Sequence, residues 1–482
     1  MIERNAIDTI IGYFSPEAGL RRVLARTQVR AIFDGAGTQG RLSRWNASSA
    51  GPKTETKTDR ATLVNRSRDM MRNDGWAQRA RDLISSYTVG TGMRLTVLND
   101  RGQKDPALQM VFDSWAESLN VSVSGKLNLR MLERLAMRSI FTSGEILIAR
   151  DTPRNPADWP AGIPLRLQIL ECDYLDTLRD NDSNILQGIE FDGQRPTAYW
   201  LYKNAPNDSI GAGYGMSERV LADDILHVFD MERAGQIRGI PWLAPALVSL
   251  RDLGIYQDAE LMRRKIAACM AAFITSAPNM QLSEAEQEAF QKLDPGSVSF
   301  LQPGQDVKFS NPPTMNDYPD YIRTELQKVA ASVGTTYEYL SGNLKDVNFS
   351  SARIGQLPFK KLVKEWQELL FISQVIRPIW EWFKFAAQIG DRPQFANAQL
   401  RITPPAIDML DVQKETDAAV TKVRSGFSSL SEIVREMGKD PDEVLNEAAE
   451  DASRLDRDGL ILDTDPRSTT KAGIKQIEVS NA

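Results

Sequence analysis

The sequence predicts a multi-domain α+β chain, and three observations carry that expectation. Its 482 residues and 53.9 kDa leave room for two to four folding units, taking roughly 150 residues for each. Hydrophobic residues at 42% and charged residues at 25% match a globular composition, so sizeable cores can be buried and a wholly disordered chain is excluded. Stretches of helical period and stretches of strand alternation both occur along the chain.

The elements follow in order. Residues 1–60 read as a partly disordered N-terminal arm, because 31–60 is rich in Gly, Ser, Thr and Ala with little periodicity. A helical pattern covers 60–86, with Leu63, Met70, Met71, Trp76, Ala80, Leu83 and Ile84 on one broad face and Asn73-Asp74-Gly75 as an interruption. MRLTV (93–97) alternates as a short strand. Helices are expected at 106–119 and 127–142, then a strand in EILIAR after Gly144, and a β-rich stretch from Leu165 to Asp230. A helix of some 30 residues is expected from Pro245 to Ser276, about 45 Å long at ~1.5 Å per residue. Ser283 and Glu286 stand at capping-box spacing for a helix over 282–293, and 297–310 reads as a hairpin around Pro303-Gly304. A helix over 318–333 stops at Gly334, the aperiodic stretch 339–355 reads as a loop, and a long helix over 356–388 is kinked by Pro378. Its Trp and Phe residues at 366–384 read as packing residues. The C-terminal part reads as a small helical unit: Ser429 and Glu432 form a capping box closed by Gly438. Asp440 then caps a helix with Pro441 first and Glu443 three residues on. No internal repeat is apparent, and the tail after Asp463 is expected to be disordered.

Composition also limits the chemistry. His227 is the only histidine, which excludes a multi-His zinc site or a multi-histidine acid/base centre; in ILHVF it reads as a buried strand residue. No G-x-x-x-x-G-K-[ST] and no G-x-S-x-G is present. The G-x-G-x-x-G of Gly35, Gly37 and Gly40 lacks a following helical pattern and reads as a flexible loop. Carboxylate-only catalysis stays open, since Asp and Glu abound. No cofactor and no metal is expected. Cys172 and Cys269 lie 97 positions apart, so no disulfide framework is formed and a reducing cytoplasm is the expected home. The longest uncharged stretch, Ile266 to Ser283, is broken by Pro278, Asn279 and Gln281, so no membrane span is expected; nor is a signal peptide.

Charge is uneven. The chain carries −6, and from Asp408 onward 17 acidic and 10 basic side chains give −7. The remainder is therefore close to neutral, although residues 1–60 hold 10 basic against 6 acidic groups. A strongly basic duplex-gripping surface is absent on average.

Several ordered blocks of the sequence resemble one family. RAGQIRGIPWLAPAL (233–247), DAELMRRKIAACMAAFITS (258–276) and ASVGTTYEYLSGNLKDVNFSSARIG (331–355) are similar to lambda-type portal proteins of tailed bacteriophages. So are VNRSRDMMRNDGWAQRARDLISSYTVGTGMRL (64–95), SGE (143–145) and ILHVF (225–229). The resemblance spans roughly 60–460 and contains no catalytic signature. It implies a portal-like fold with long stem helices, an α/β wing and clip, and a helical C-terminal crown. In that scheme 61–242 and 356–404 form the wing, 243–276 and 318–338 the stem helices, and 277–317 the clip. Residues 339–355 form a loop in the channel, 405–460 the crown and 461–482 a flexible tail. The implied protein is a homo-oligomeric ring, dodecameric in virions, at one capsid vertex after assembly in the host cytoplasm. It is a conduit for double-stranded DNA during packaging and ejection, and its implied partners are the terminase large subunit and head-completion and capsid proteins.

Residue by residue, Lys345, Asn348 and Arg353 are the candidates for DNA contact in the channel loop, while Ser350-Ser351 have the alternative of capping the next helix. Arg263, Arg264 and Lys265 form a basic triplet on the stem helix, for which a solvated face or an intersubunit ion pair is expected ahead of DNA contact. The rival function is a carboxylate-dependent DNA-processing enzyme, a nuclease or hydrolase.

Overall fold

Short polar residues open the helices close to where the sequence places them. In the computed structural model the described residues are 13–15, 47–181, 183–204, 216–268, 272–275, 306–309, 317–345, 349–408, 411–460, 462, 465 and 467. The chain divides into two units, 1–54 and 55–482. Within the first, the Tyr13 and Phe14 rings meet edge-on at 5.5 Å and the Thr54 N–H donates to the Gly51 carbonyl.

The elements in chain order begin with α1 (Pro52–Asn73) and α2 (Gly75–Thr88). Asp74 separates them and caps α2, accepting from the Ala77 N–H at 2.7 Å. Then come β1 (Arg94–Leu98), α3 (Pro106–Ala116) and α4 (Leu129–Ser143). Asp105 and Asn128 cap the two helices, and Gly144 ends α4 in the left-handed conformation at φ 85°. The strands are β2 (Glu145–Asp151), β3 (Arg166–Leu170), β4 (Ile185–Leu186), β5 (Ile189–Asp192), β6 (Arg195–Tyr202), β7 (Ser217–Leu221) and β8 (Ile225–Phe229). Next are α5 (Leu247–Ala268), β9 (Ala272–Thr275), β10 (Asp306–Phe309), α6 (Tyr318–Ser332), α7 (Tyr337–Ser341) and α8 (Phe349–Glu365). A π-helical segment, Trp366–Ile376, joins α8 to α9 (Arg377–Ile389). The chain closes with β11 (Gln399–Thr403), α10 (Val412–Arg424), α11 (Leu430–Glu436) and α12 (Pro441–Asp458).

Strand alternation sorts residues between two cores. The antiparallel sheet β3-β2-β8 turns Ile146 and Ile148 toward the main core, built with α2, α4, the π segment and α9. Its other face, with Leu147, packs against the antiparallel meander β4-β5-β6-β7 through Ile189, Tyr199 and Leu201. β1 pairs with β11 some 300 residues later, Arg94 opposite Thr403, so the two ends of the domain share a ladder. The rings of α9 are packed where the sequence expects them: Phe383 contacts Phe112 at 5.0 Å and Trp115 at 4.9 Å, and Trp115 donates Nε1–H to the Leu165 carbonyl.

Four expectations need correction. The helical region starts at Pro52, inside the stretch read as an arm, because proline suits a first turn and Thr56, Arg60 and Val64 are buried along it. The helix expected to reach Ser276 has its described end at Ala268, since Ala272–Thr275 is a strand. The Asp306–Phe309 arm of the expected hairpin pairs antiparallel with that strand, Asp306 opposite Thr275; the turn at Pro303-Gly304 and the helix over 282–293 lie outside the described residues. The stretch 339–355 is a loop only in part: α7 runs to Ser341, closed by left-handed Gly342, and α8 begins at Phe349, so Ser350 and Ser351 stand inside a helix rather than capping it. The helical run continues through Pro378, the residue expected to kink it. The π segment ends two residues before it, a wider winding next to the residue that lacks an N–H donor. Most of 461–482 lies outside the described residues.

Candidate functional site

A buried polar cluster joins blocks far apart in sequence. Glu145, the first residue of β2, has no exposed surface. Its carboxylate accepts from Arg238 Nη2 at 2.6 Å, from the Gly239 N–H at 2.7 Å and faces Arg60 Nη2 at 3.0 Å. Arg60 also donates to the carbonyls of Gly239 and Ser143, at 2.8 and 3.0 Å. Burial by itself would raise the Glu145 carboxyl; Arg238 and Arg60 outweigh it and hold it well below the usual range. His227 Nε2 lies 3.1 Å from the same carboxylate without hydrogen-bond alignment, and burial pushes the imidazole down, so it is neutral near pH 7.

Backbone geometry explains why glycines flank this site. A methyl group on Gly239 would overlap the Gly144 carbonyl, and one on Gly144 would overlap the Ile240 backbone. The SGE and RAGQIRGIP blocks therefore interlock, with Arg60 of α1 as a third member. Two arginines on one carboxylate leave a buried positive charge. That is a bracing arrangement, not a nucleophile-base pair.

The predicted site residues fall elsewhere. Arg263 and Arg264 both turn back onto Glu260 of their own helix, at 2.7 and 2.9 Å, and Arg264 lies 5.0 Å over the Tyr318 ring. Lys265 is exposed. The triplet is thus split, two arginines in intrahelical pairs and one lysine facing solvent. Lys345 is exposed just past α7, its N–H donating to Asn343 Oδ1 at 3.1 Å. Asn348 and the Arg353 side chain lie outside what is described, and the Arg353 backbone belongs to α8. Among the described residues no group of three His, Cys, Asp or Glu side chains is placed to hold a metal ion, and no helix is long and apolar enough to cross a membrane.

Two further features position the surroundings. α5 and α6 run against each other through Tyr256, which meets Tyr321 at 4.4 Å and Tyr318 at 5.8 Å. The C-terminal helices are tied to β1 by polar contacts: Thr96 donates to Asp440 at 2.9 Å, and Glu443 is drawn to Arg94 and Lys104 instead of completing its own cap. Arg60, Arg238, Glu133 and Thr96 went unnoticed in the sequence. For Glu133 a signal exists, because it falls on the apolar face of α4 with Leu129, Leu132, Ala136 and Ile140.

Comparison with known proteins supplies what the site does not. The family model described as "Phage portal protein, lambda family" matches residues 38–367, more than half of the chain. The chain is 27% identical over 430 residues to the probable portal protein of Halomonas phage phiHAP-1, covering 83% of this chain and 82% of that one. It is 22% identical over 507 residues to portal protein B of Escherichia phage lambda, covering 92% and 93%. A chain in the solved neck of an empty gene transfer agent particle shares the fold at TM-score 0.50 and 17% identity, over 80% of this chain and 94% of that one.

Proposed function

The chain belongs to the lambda family of phage portal proteins, and from that premise we propose that copies of it close into a ring, expected to be dodecameric, at one capsid vertex. Double-stranded DNA passes through the ring during packaging and ejection, and the ring docks the terminase large subunit and the head-completion and capsid proteins. The match over 38–367 carries this reading. A heterologous head-to-tail contact that closes gives such a ring. The near-neutral charge of residues before Asp408 suits a conduit, since each neutralised phosphate adds affinity that would oppose sliding.

The subdivision follows as part of the proposal. Pairing of β1 with β11 supports grouping 61–242 with 356–404 as the wing. Packing of α5 on α6 supports a two-helix stem, and the β9–β10 ladder supports a clip between 277 and 317 whose base is closed by paired strands. Residues 405–460 are assigned as crown. The channel loop narrows to the stretch between Ser341 and Phe349, with Lys345 and Asn348 as its DNA-contact candidates and Arg353 moved to the start of α8.

Native mass spectrometry of the purified full chain tests the reading, together with a DNA-cleavage assay with magnesium. A high-order ring without cleavage is expected. A monomer or dimer that cuts DNA would replace the portal reading with the carboxylate-dependent nuclease or hydrolase, which no observation among the described residues favours.

A further inference from the structure

We propose that the crown, residues 405–460, completes its hydrophobic core only against a second copy of the chain, with the apolar side of α12 lying on α10 of the neighbour. Among the described residues of this stretch, Ile433, Val434 and Pro441 are the only buried apolar side chains. α10 buries no residue at all, and α12 buries only Pro441. Both helices nevertheless have an apolar side. Val412, Val420 and Val423 recur at helical spacing on α10, and Leu445, Ala448, Ala452 and Leu455 do so on α12. Val412 is 68% exposed and Leu445 47%, and Phe427, in the connection after α10, is 86% exposed.

Helices of this size are not held by their own hydrogen bonds. An isolated helix shorter than about 12–15 residues is marginal in water, and in proteins the packing of an apolar face supplies most of the stability. Single exposed apolar residues are ordinary on a surface. Here they line up along two helices with almost nothing buried beneath them. In one chain the crown is tied down by polar groups alone at the start of α12. Thr96 and Lys104 meet Asp440, Arg94 and Lys104 meet Glu443, and Arg401 meets Asp442. These contacts fix the first turn of α12 against β1 and β11 and give its apolar side no cover.

Charge selects the surface on the neighbour. α12 carries seven acidic and two basic side chains, a net −5, whereas the last turn of α10 carries Lys422 and Arg424. Laying α12 on the same helix of another copy would bring like charges together, and laying it on α10 brings opposite ones. That contact uses different surfaces on the two copies, as a closed head-to-tail ring requires. That the cover comes from a second copy rests on the ring reading; the missing core does not.

Hydrogen exchange on the full chain tests this, comparing the ring with the unassembled subunit separated from it by size exclusion. Amides of α10 and α12 should exchange about tenfold or more slowly in the ring, while those of β2 and α4 are protected alike in both. Slow exchange in both forms would mean that the chain covers its own helices, and fast exchange in both that no copy covers them; either overturns the proposal. Val420→Asp and Leu445→Asp give a second readout. Each side chain is exposed in one chain, so melting of the subunit should be unchanged. Dissociation of the ring on dilution should move to a concentration higher by about tenfold. Lys422→Glu should weaken the ring severalfold, more clearly at low salt. Rings indifferent to all three substitutions overturn the proposal and leave the portal reading intact, whereas a native chain that forms no ring removes both.

Discussion

Glu145 and Glu260 each sit between two arginines, and they have opposite consequences. Glu145 takes Arg60 and Arg238 from 85 and 93 residues away and is wholly buried. Glu260 takes Arg263 and Arg264 from its own next turn. Glu260 is itself 5% exposed, while Arg264 is 61% exposed, so the pair is open to water on the arginine's side. Hydrogen bonding from Arg263 lowers its carboxyl to about 2. The first cluster joins α1, β2 and the segment before α5 into one body. The second is made within one helix, with Arg264 also lying over the Tyr318 ring of α6. Local pairing and long-range pairing use the same groups, but only the long-range one specifies tertiary structure.

The largest expected effect breaks the first cluster. Glu145→Ala would leave two buried guanidiniums without a counter-charge, at a cost of about 3–5 kcal/mol. Chemical denaturation of the full chain measures it, and a loss below 1 kcal/mol would mean that the two arginines find other partners. Acid should mimic the substitution. The Glu145 carboxyl lies below its unfolded value, so its contribution is complete above about pH 4.5 and is lost as pH falls through the lower folded value.

A buried carboxylate with no arginine in contact sharpens the comparison. Glu133 is raised, not lowered, so the folded chain holds a proton that the unfolded chain releases between about pH 4.5 and 8. Stability from this group therefore falls as pH rises through that window. Glu133→Gln should flatten the dependence, gaining a few kcal/mol at pH 8 relative to pH 5. Parallel curves for the two proteins would show that Glu133 is already paired in solution.

How much of this was readable in the sequence follows the same division. Caps and stops were legible, because each is a local rule: Asp74, Gly334, Ser429, Gly438 and Asp440 act where they were expected. The buried Trp and Phe side chains of 371–383 were legible from helical period. The Glu145 cluster was not. SGE and RAGQIRG stood out as family blocks, yet nothing in either names Arg60 as their third member, since a buried ion triad has no sequence period. The α5 boundary failed for a related reason. An apolar run such as Ala271–Ser276 fits helix or strand equally, and the partner that makes Ala272–Thr275 a strand lies beyond residue 305.

Glu260→Gln is the next test in size. The pairs it removes are on one helix, partly wet, and screened by salt, so the loss should be a small fraction of that for Glu145→Ala and should vanish at 1 M salt. Thermal melts of both variants side by side give the ratio. A ratio near one would mean that the Glu260 pairs are covered in the assembled ring, and would return Arg263 and Arg264 to consideration as interface residues.

The smallest expected change in stability belongs to Lys345, and there the comparison turns from folding to function. Its side chain is exposed, and its backbone N–H donates to Asn343 Oδ1 at 3.1 Å. Gly342, at φ 68°, ends α7 in the left-handed conformation three residues before it. Lys345→Ala should therefore alter stability by no more than about 0.5 kcal/mol. On the proposed reading this lysine meets phosphates briefly as DNA passes, a salt-screened attraction. Rings carrying the substitution should then assemble normally and differ only in retention of packaged DNA, more clearly at low ionic strength. Measuring melting and retention on the same rings separates the possibilities. Unchanged retention at every salt concentration would remove Lys345 from the conduit, and a large loss of stability would make the segment a brace of α7 against α8.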